Sequence, residues 1–153
     1  MDATYDAGVR IEQTFMVAAS PETVFDFMTE PGNLAKWQTS KTRVEPLSEG
    51  HPRQGYRVRE WTKPPGGKEF EQVVEFTEFA RPNRLHVHIV EGPYPVDGTW
   101  VLSAIEQGTR VDFTAEGALP GLLRFTEPIM SRLVRRQFAG FHENLRRNVE
   151  ALG

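Results

Sequence analysis

From Val9 to Val17 the chain alternates. Val9, Ile11, Gln13, Phe15 and Val17 fall on one face, and Arg10, Glu12, Thr14 and Met16 on the other. A period of two predicts a half-buried strand. Ser20-Pro21-Glu22 follows, with a capping hydroxyl, a proline suited to the first helical position and an acid in the first turn. A short helix is predicted there, apolar along Val24, Phe25 and Met28, and it stops at Glu30-Pro31-Gly32. A second short helix is expected over Asn33 to Trp37. Alternation then returns in Thr42 to Leu47, Tyr56 to Thr62, Glu69 to Phe79, Leu85 to Val90, Trp100 to Ala104 and Val111 to Ala115. The breaks between them (Pro64-Pro65-Gly66-Gly67, Arg81-Pro82-Asn83, Gly92-Pro93-Tyr94-Pro95, Gln107-Gly108) are short. Strands joined so closely form an antiparallel meander.

The period changes at the end. Ile129, Leu133, Val134, Phe138, Phe141, Leu145, Val149 and Leu152 recur at steps of three and four, which predicts one long amphipathic helix. Thr126 is placed to cap it, after a lead-in over Gly117 to Phe125. The expected fold is α+β: a curved antiparallel sheet of about seven strands wrapped around that helix, with two short helices after the first strand. A flexible N-terminus (1–8) precedes a single domain (9–153). A twisted sheet gripping a helix need not close flush along its whole length, and the gap is a natural place for a small apolar ligand.

Composition narrows the picture. Of 153 residues, 18 are Lys or Arg and 21 are Asp or Glu, a formal net charge of −3, and there is no cysteine. Catalytic thiols, zinc ribbons and iron–sulfur sites are excluded. The mild negative charge argues against a nucleic-acid partner, whose binding face would be basic. No apolar run approaches the roughly 20 residues of a bilayer span, so stable membrane insertion is not expected. The first eight residues carry neither a basic nor an apolar stretch of a secretory signal, which makes the cytoplasm the default.

Four segments stand in order along the chain: Ala19-Ser20-Pro21-Glu22-Thr23-Val24-Phe25 leading to Trp37; Leu47-Ser48-Glu49-Gly50 with Gly55-Tyr56; Phe79-Ala80-Arg81-Pro82-Asn83-Arg84-Leu85; and Trp100-Val101-Leu102 with Gly108-Thr109-Arg110-Val111. The closing Phe141-His142-Glu143-Asn144-Leu145 joins them. In these the chain resembles the SRPBCC superfamily, which includes START lipid-transfer domains, the birch-pollen allergens and bacterial polyketide cyclase/dehydrase-like proteins. The resemblance implies the helix-grip fold. Its face pattern turns Ile11, Phe15, Tyr56, Val58, Glu60, Val74, Phe76, Val87, Ile89, Trp100, Leu102 and Phe113 toward the helix, with Gln13, Gln72 and Glu91 on the same side. With Val134, Phe138 and Phe141 from the helix and Gln72 from the sheet, these are the expected cavity lining.

Three side chains are candidates for chemistry. Glu60 shares a face with Tyr56 and Val58. If buried alone it would be a neutral carboxyl able to give a proton; the alternatives are a strand-end Glu reaching water or a partner for one of the arginines. His142, beside Phe141, either reaches the cavity mouth as an acid–base group or lies on the helix surface. Tyr94, between two prolines, either orients a carbonyl at the rim or packs in its loop. His86 and His88, at spacing two, fall on the outward face without an evident third ligand, so no metal site is expected. The arginines at 124, 132, 135, 136, 146 and 147 give the last helix a basic side, suited to an anionic partner or to water. There is no nucleophile elbow, phosphate loop or His-Glu-x-x-His, and no cofactor is expected.

Three functions follow as expectations. The first is binding of a hydrophobic small molecule (a polyketide, lipid or aromatic compound), with Glu60, Tyr56 and Gln72 fixing its orientation. The second is a polyketide cyclase-, aromatase- or dehydratase-like enzyme using Glu60, His142 and Tyr94. The third is a protein-interaction module without a ligand, which a large exposed apolar patch would favour. A homodimer stays open.

Overall fold

The computed structural model describes residues 8–118 and 127–153. In chain order the elements are β1 (Gly8–Val17), α1 (Pro21–Thr29), α2 (Pro31–Trp37), β2 (Lys41–Pro46), β3 (Arg57–Thr62), β4 (Phe70–Ala80), β5 (Arg84–Glu91), β6 (Val96–Ile105), β7 (Gly108–Ala118) and α3 (Glu127–Glu150). All seven strands form one antiparallel sheet in the order β1-β7-β6-β5-β4-β3-β2. The expected helix-grip architecture is therefore observed, with α3 packed against β1, α1 and α2.

Local chemistry sets the boundaries. The Ser20 hydroxyl accepts a 3.2 Å hydrogen bond from the Thr23 amide at the start of α1. Pro31 opens α2 two residues earlier than the pattern predicts, because its fixed φ suits the first helical position. Gly117 and Ala118 extend β7 instead of starting a lead-in; the rest of that lead-in and the Thr126 cap lie outside the described residues. Of the N-terminal tail, Gly8 already opens β1, and the remainder lies outside the described residues.

Two irregularities in the β4–β5 ladder change side-chain parity. One falls between Val73 and Val74, the other between Phe76 and Glu78. The first leaves Gln72, Val73 and Val74 all buried, and it carries Glu91 to the exposed side, against the expected inward position. The second lets Phe79 pack edge-on against Phe25 of α1, at a centroid distance of 5.0 Å, although simple alternation from Phe76 turns it outward.

The apolar stripe of α3 is buried only in part. Phe141, Leu145 and Val149 belong to the core, with Val134 and Phe138 packed against it. Ile129 and Leu133 are 62% and 56% exposed, and Leu152 lies beyond the helix end and is also exposed. Among the described residues no helix is long and apolar enough to cross a membrane.

Gly108 opens β7 at a φ of 146°, and a Cβ built there would lie 2.2 Å from the Val17 carbonyl oxygen. Only glycine permits that crossing of β1 and β7. Gly108→Ala is expected to lower the unfolding free energy by about 2 kcal/mol, because strained backbone must move off the β1 end. A urea denaturation midpoint equal to that of the parent would refute this account of the turn.

Candidate functional site

Between the concave side of the sheet and the helices lies a cavity of about 100 Å³. The sheet contributes Val74, Phe76, Leu85, Val87, Ile89, Val96 and Trp100; the helices contribute Met28, Leu34, Trp37 and Phe138. Gly98 also faces it. A Cβ there would lie 3.0 Å from the Trp100 ring, so the glycine leaves room for the indole.

One wall is polar, built from Gln38, Lys41, Glu60 and Gln72. Glu60 and Lys41 come from β3 and β2, and their side chains are 5% and 7% exposed with Lys41 Nζ 3.1 Å from Glu60 Oε1. The same oxygen accepts a 2.9 Å hydrogen bond from Gln72 Nε2 on β4, directly across the ladder. Lys41 Nζ also donates to Gln38 Oε1 at the end of α2. Glu60 is thus buried as expected, but as half of an ion pair, not as an isolated carboxyl. Both contacts fall on Oε1; Oε2 accepts no hydrogen bond from a described residue.

Trp37 adds a second open valence. It is 1% exposed, and its indole Nε1 has no hydrogen-bond partner. A buried N–H without an acceptor is costly, and such groups are rare in native structures.

The other expected lining residues face inward without reaching the cavity. Ile11, Tyr56, Val58, Leu102 and Phe113 are buried in the core around it, and Phe15 is partly buried against that core. Desolvation holds the Tyr56 phenol above its ordinary pKa, and its ring stacks on Phe76. Val134 is half-buried against the core. Phe141 lines a separate open groove of about 480 Å³, between the Lys63-Pro64-Pro65-Gly66 turn and α3.

His142 lies neither at a cavity mouth nor on the helix surface. It is buried where α3 crosses β1 and β6, stacked on Phe15 at 4.5 Å and met edge-on by Phe113 at 4.7 Å. The Trp100 indole N–H donates to Nε2 at 3.1 Å. Indole only donates, so Nε2 is the acceptor and Nδ1 carries the proton. Nδ1 donates at 2.9 Å to Gln13 Oε1, and Gln13 Nε2 donates at 2.7 Å to the Arg135 carbonyl. Every polar atom of this chain is matched. Burial lowers the His142 pKa to about 3, so the ring is neutral. Both nitrogens are occupied, and the group ties α3 to the sheet. Gln13 faces α3, as its parity predicts.

Tyr94 is 45% exposed in the β5–β6 turn and packs edge-on against Phe70, outside the cavity lining. His86 and His88 face outward on β5. Asp97 of β6 lies 2.5 Å from His88 Nδ1 and 3.8 Å from His86 Nε2, and Thr77 binds His86 Nδ1. Among the described residues no group of three or more His, Asp or Glu side chains is placed to hold a metal ion. On α3, Arg146 pairs with Glu143 and Glu150, and Arg147 with Glu143, so that end of the basic side is internally compensated.

Lys41, Gln38 and Trp37 are site residues that pattern reading does not single out, and Met28, Leu34, Leu85, Val96 and Gly98 also line the cavity from outside the expected set. Trp37 is the end of a recognisable segment, but nothing in its spacing marks an unmatched N–H. Lys41 lies at a strand edge, where a lysine ordinarily faces water.

The family described as polyketide cyclase/dehydrase and lipid transport matches residues 8–150. No curated protein matches the chain in sequence. Among solved structures, TTHA0849 from Thermus thermophilus is similar, with 23% identity, a TM-score of 0.78 and coverage of 95% of this chain and 99% of that one. A START superfamily protein from Mycobacterium smegmatis has 15% identity and a TM-score of 0.77, covering 94% and 99%. The di-domain ARO/CYC StfQ from the steffimycin biosynthetic pathway has 11% identity and a TM-score of 0.78, covering 94% of this chain and 51% of that one. These likenesses establish the fold.

Proposed function

We propose that this chain, which belongs to the polyketide cyclase/dehydrase and lipid transport family, binds a hydrophobic small molecule in the cavity between its sheet and α3. The observation that carries the reading is the cavity itself. Interiors ordinarily pack without voids, so unfilled apolar volume under the gripping helix is the exception that needs a reason. An apolar guest would recover the contacts that the lining side chains lack, and burial at roughly 25 cal/mol per Å² would supply the affinity.

Val87 is half-buried and lines the cavity without a polar role, so it gives a clean test. Toluene, an apolar probe of one ring, is expected to bind the parent in calorimetric titration, and Val87→Phe to weaken binding more than tenfold with little change in melting temperature. Unchanged affinity in that variant would locate the probe elsewhere and remove the support for this cavity.

A second reading, a cyclase-like enzyme, is favoured by one observation: an ion pair stands on the cavity wall. On that reading Glu60 moves the proton and Lys41 holds the developing oxyanion. His142 takes no part, since both its nitrogens are bonded within the protein. Lys41→Met/Glu60→Gln separates the two readings: it is expected to abolish turnover while an apolar probe still binds.

A further inference from the structure

The polar wall says what the guest must carry. We infer that the cavity takes a neutral molecule about the size of one ring, bearing a hydroxyl that bridges Lys41 and Glu60. This rests on the binding function proposed above and specifies its ligand class.

Size comes first. An apolar cavity of ~150 Å³ is known to admit benzene. At about 100 Å³ the present cavity has room for no more than a single ring unless its walls move, which excludes a folded polyketide chain or a sterol in this conformation.

Charge comes second. Lys41 and Glu60 compensate one another within 3.1 Å, so the wall has no net charge to offer. A carboxylate entering it would meet Glu60, and an ammonium would meet Lys41. Either brings an uncompensated charge into a site where desolvation is expensive.

Valence comes third. Lys41 has three N–H donors, and its two contacts with described residues are Gln38 and Glu60. Glu60 Oε2 accepts nothing from a described residue. A hydroxyl both donates and accepts, so one oxygen beside the pair answers both open positions. A hydrocarbon guest would leave both unmatched. Hydrogen bonds involving charged groups are the stronger kind, so the hydroxyl is expected to be worth at least about tenfold in affinity.

The test uses the unaltered full-length protein and three rings of similar size: phenol, toluene and benzoate. Calorimetric titration is expected to rank phenol at least about tenfold above toluene, with benzoate weakest. Lys41→Met/Glu60→Gln is expected to erase the preference for phenol while toluene still binds. Toluene equal to or above phenol, or benzoate tightest, overturns the inference and leaves hydrophobic binding standing. Failure of all three rings to bind overturns both.

Discussion

Replacing Lys41 by methionine is expected to lower the unfolding free energy by about 3–5 kcal/mol, among the largest single-residue losses in this chain. The reason is what the substitution leaves behind. Glu60 would remain buried with its carboxylate facing an apolar cavity and only the Gln72 amide as a partner. The pair is nearly free of solvent screening, so the usual discount for surface ion pairs does not apply. Removing the charge from both members removes the cause. Lys41→Met/Glu60→Gln keeps an acceptor for Gln72 and is expected to recover more than half of the loss. Urea denaturation of the parent, the single variant and the double variant measures this directly. A single variant within about 1 kcal/mol of the parent would mean that Glu60 finds another counter-charge or reaches water.

Acidification is the second large effect, and His142 is its source. The unfolded imidazole titrates at 6.5, whereas in the fold burial holds it to about 3. Between these values the unfolded chain takes up a proton that the native protein refuses. Stability therefore rises with pH from about 3 to 6.5 and falls on acidification through the same window. From this group alone the loss is about 2 kcal/mol between pH 7 and pH 5, and about 4 kcal/mol by pH 3. Asp26, Asp112 and Glu143 are held low, chiefly by hydrogen bonds from Arg81, Thr14 and Arg146 respectively. Their contribution is present above the ordinary carboxylate range and is lost only below about pH 4.5, at the acid end of the His142 window. His142→Phe keeps an aromatic ring against Phe15 but does not titrate. It is expected to be less stable than the parent at pH 7 by about 2 kcal/mol, because Gln13 and Trp100 lose their partner. Its stability should change far less than the parent's between pH 7 and pH 5. Parallel profiles for the two proteins over that range would show that His142 is not the group responsible.

These two groups also mark the limits of pattern reading. The alternation of Tyr56 to Thr62 and Glu69 to Phe79 correctly turns Glu60, Gln72, Val74 and Phe76 inward, since a period of two leaves a strand no other choice. It fails at the β4–β5 ladder, where two register shifts change the faces, one displacing Glu91 and the other Phe79. Nothing in the types of residue there announces a bulge. The steps from Phe138 to His142, Leu145 and Val149 place His142 on the buried stripe of α3, so its burial is accessible from spacing. Its partners are not: Gln13 lies on the first strand and Trp100 on the sixth, and only the folded sheet brings them to one imidazole. Lys41 and Glu60 are invisible as a pair for the same reason. Their meeting depends on β2 folding back along β3, and the residue paired with Lys41 in that ladder is Thr62, not Glu60.

The order of the sheet has a consequence for how the chain reaches this structure. Every pairing from β2 to β7 joins strands that are neighbours in sequence, so the meander assembles from short loops. The single exception is β1, where Gly8 meets Ala118 and Val17 meets Thr109. Closing that contact confines nearly the whole intervening chain, and the entropy lost is concentrated in one strand at the sheet's margin. That strand also carries Gln13, so docking of the first strand and locking of the last helix form one cooperative step.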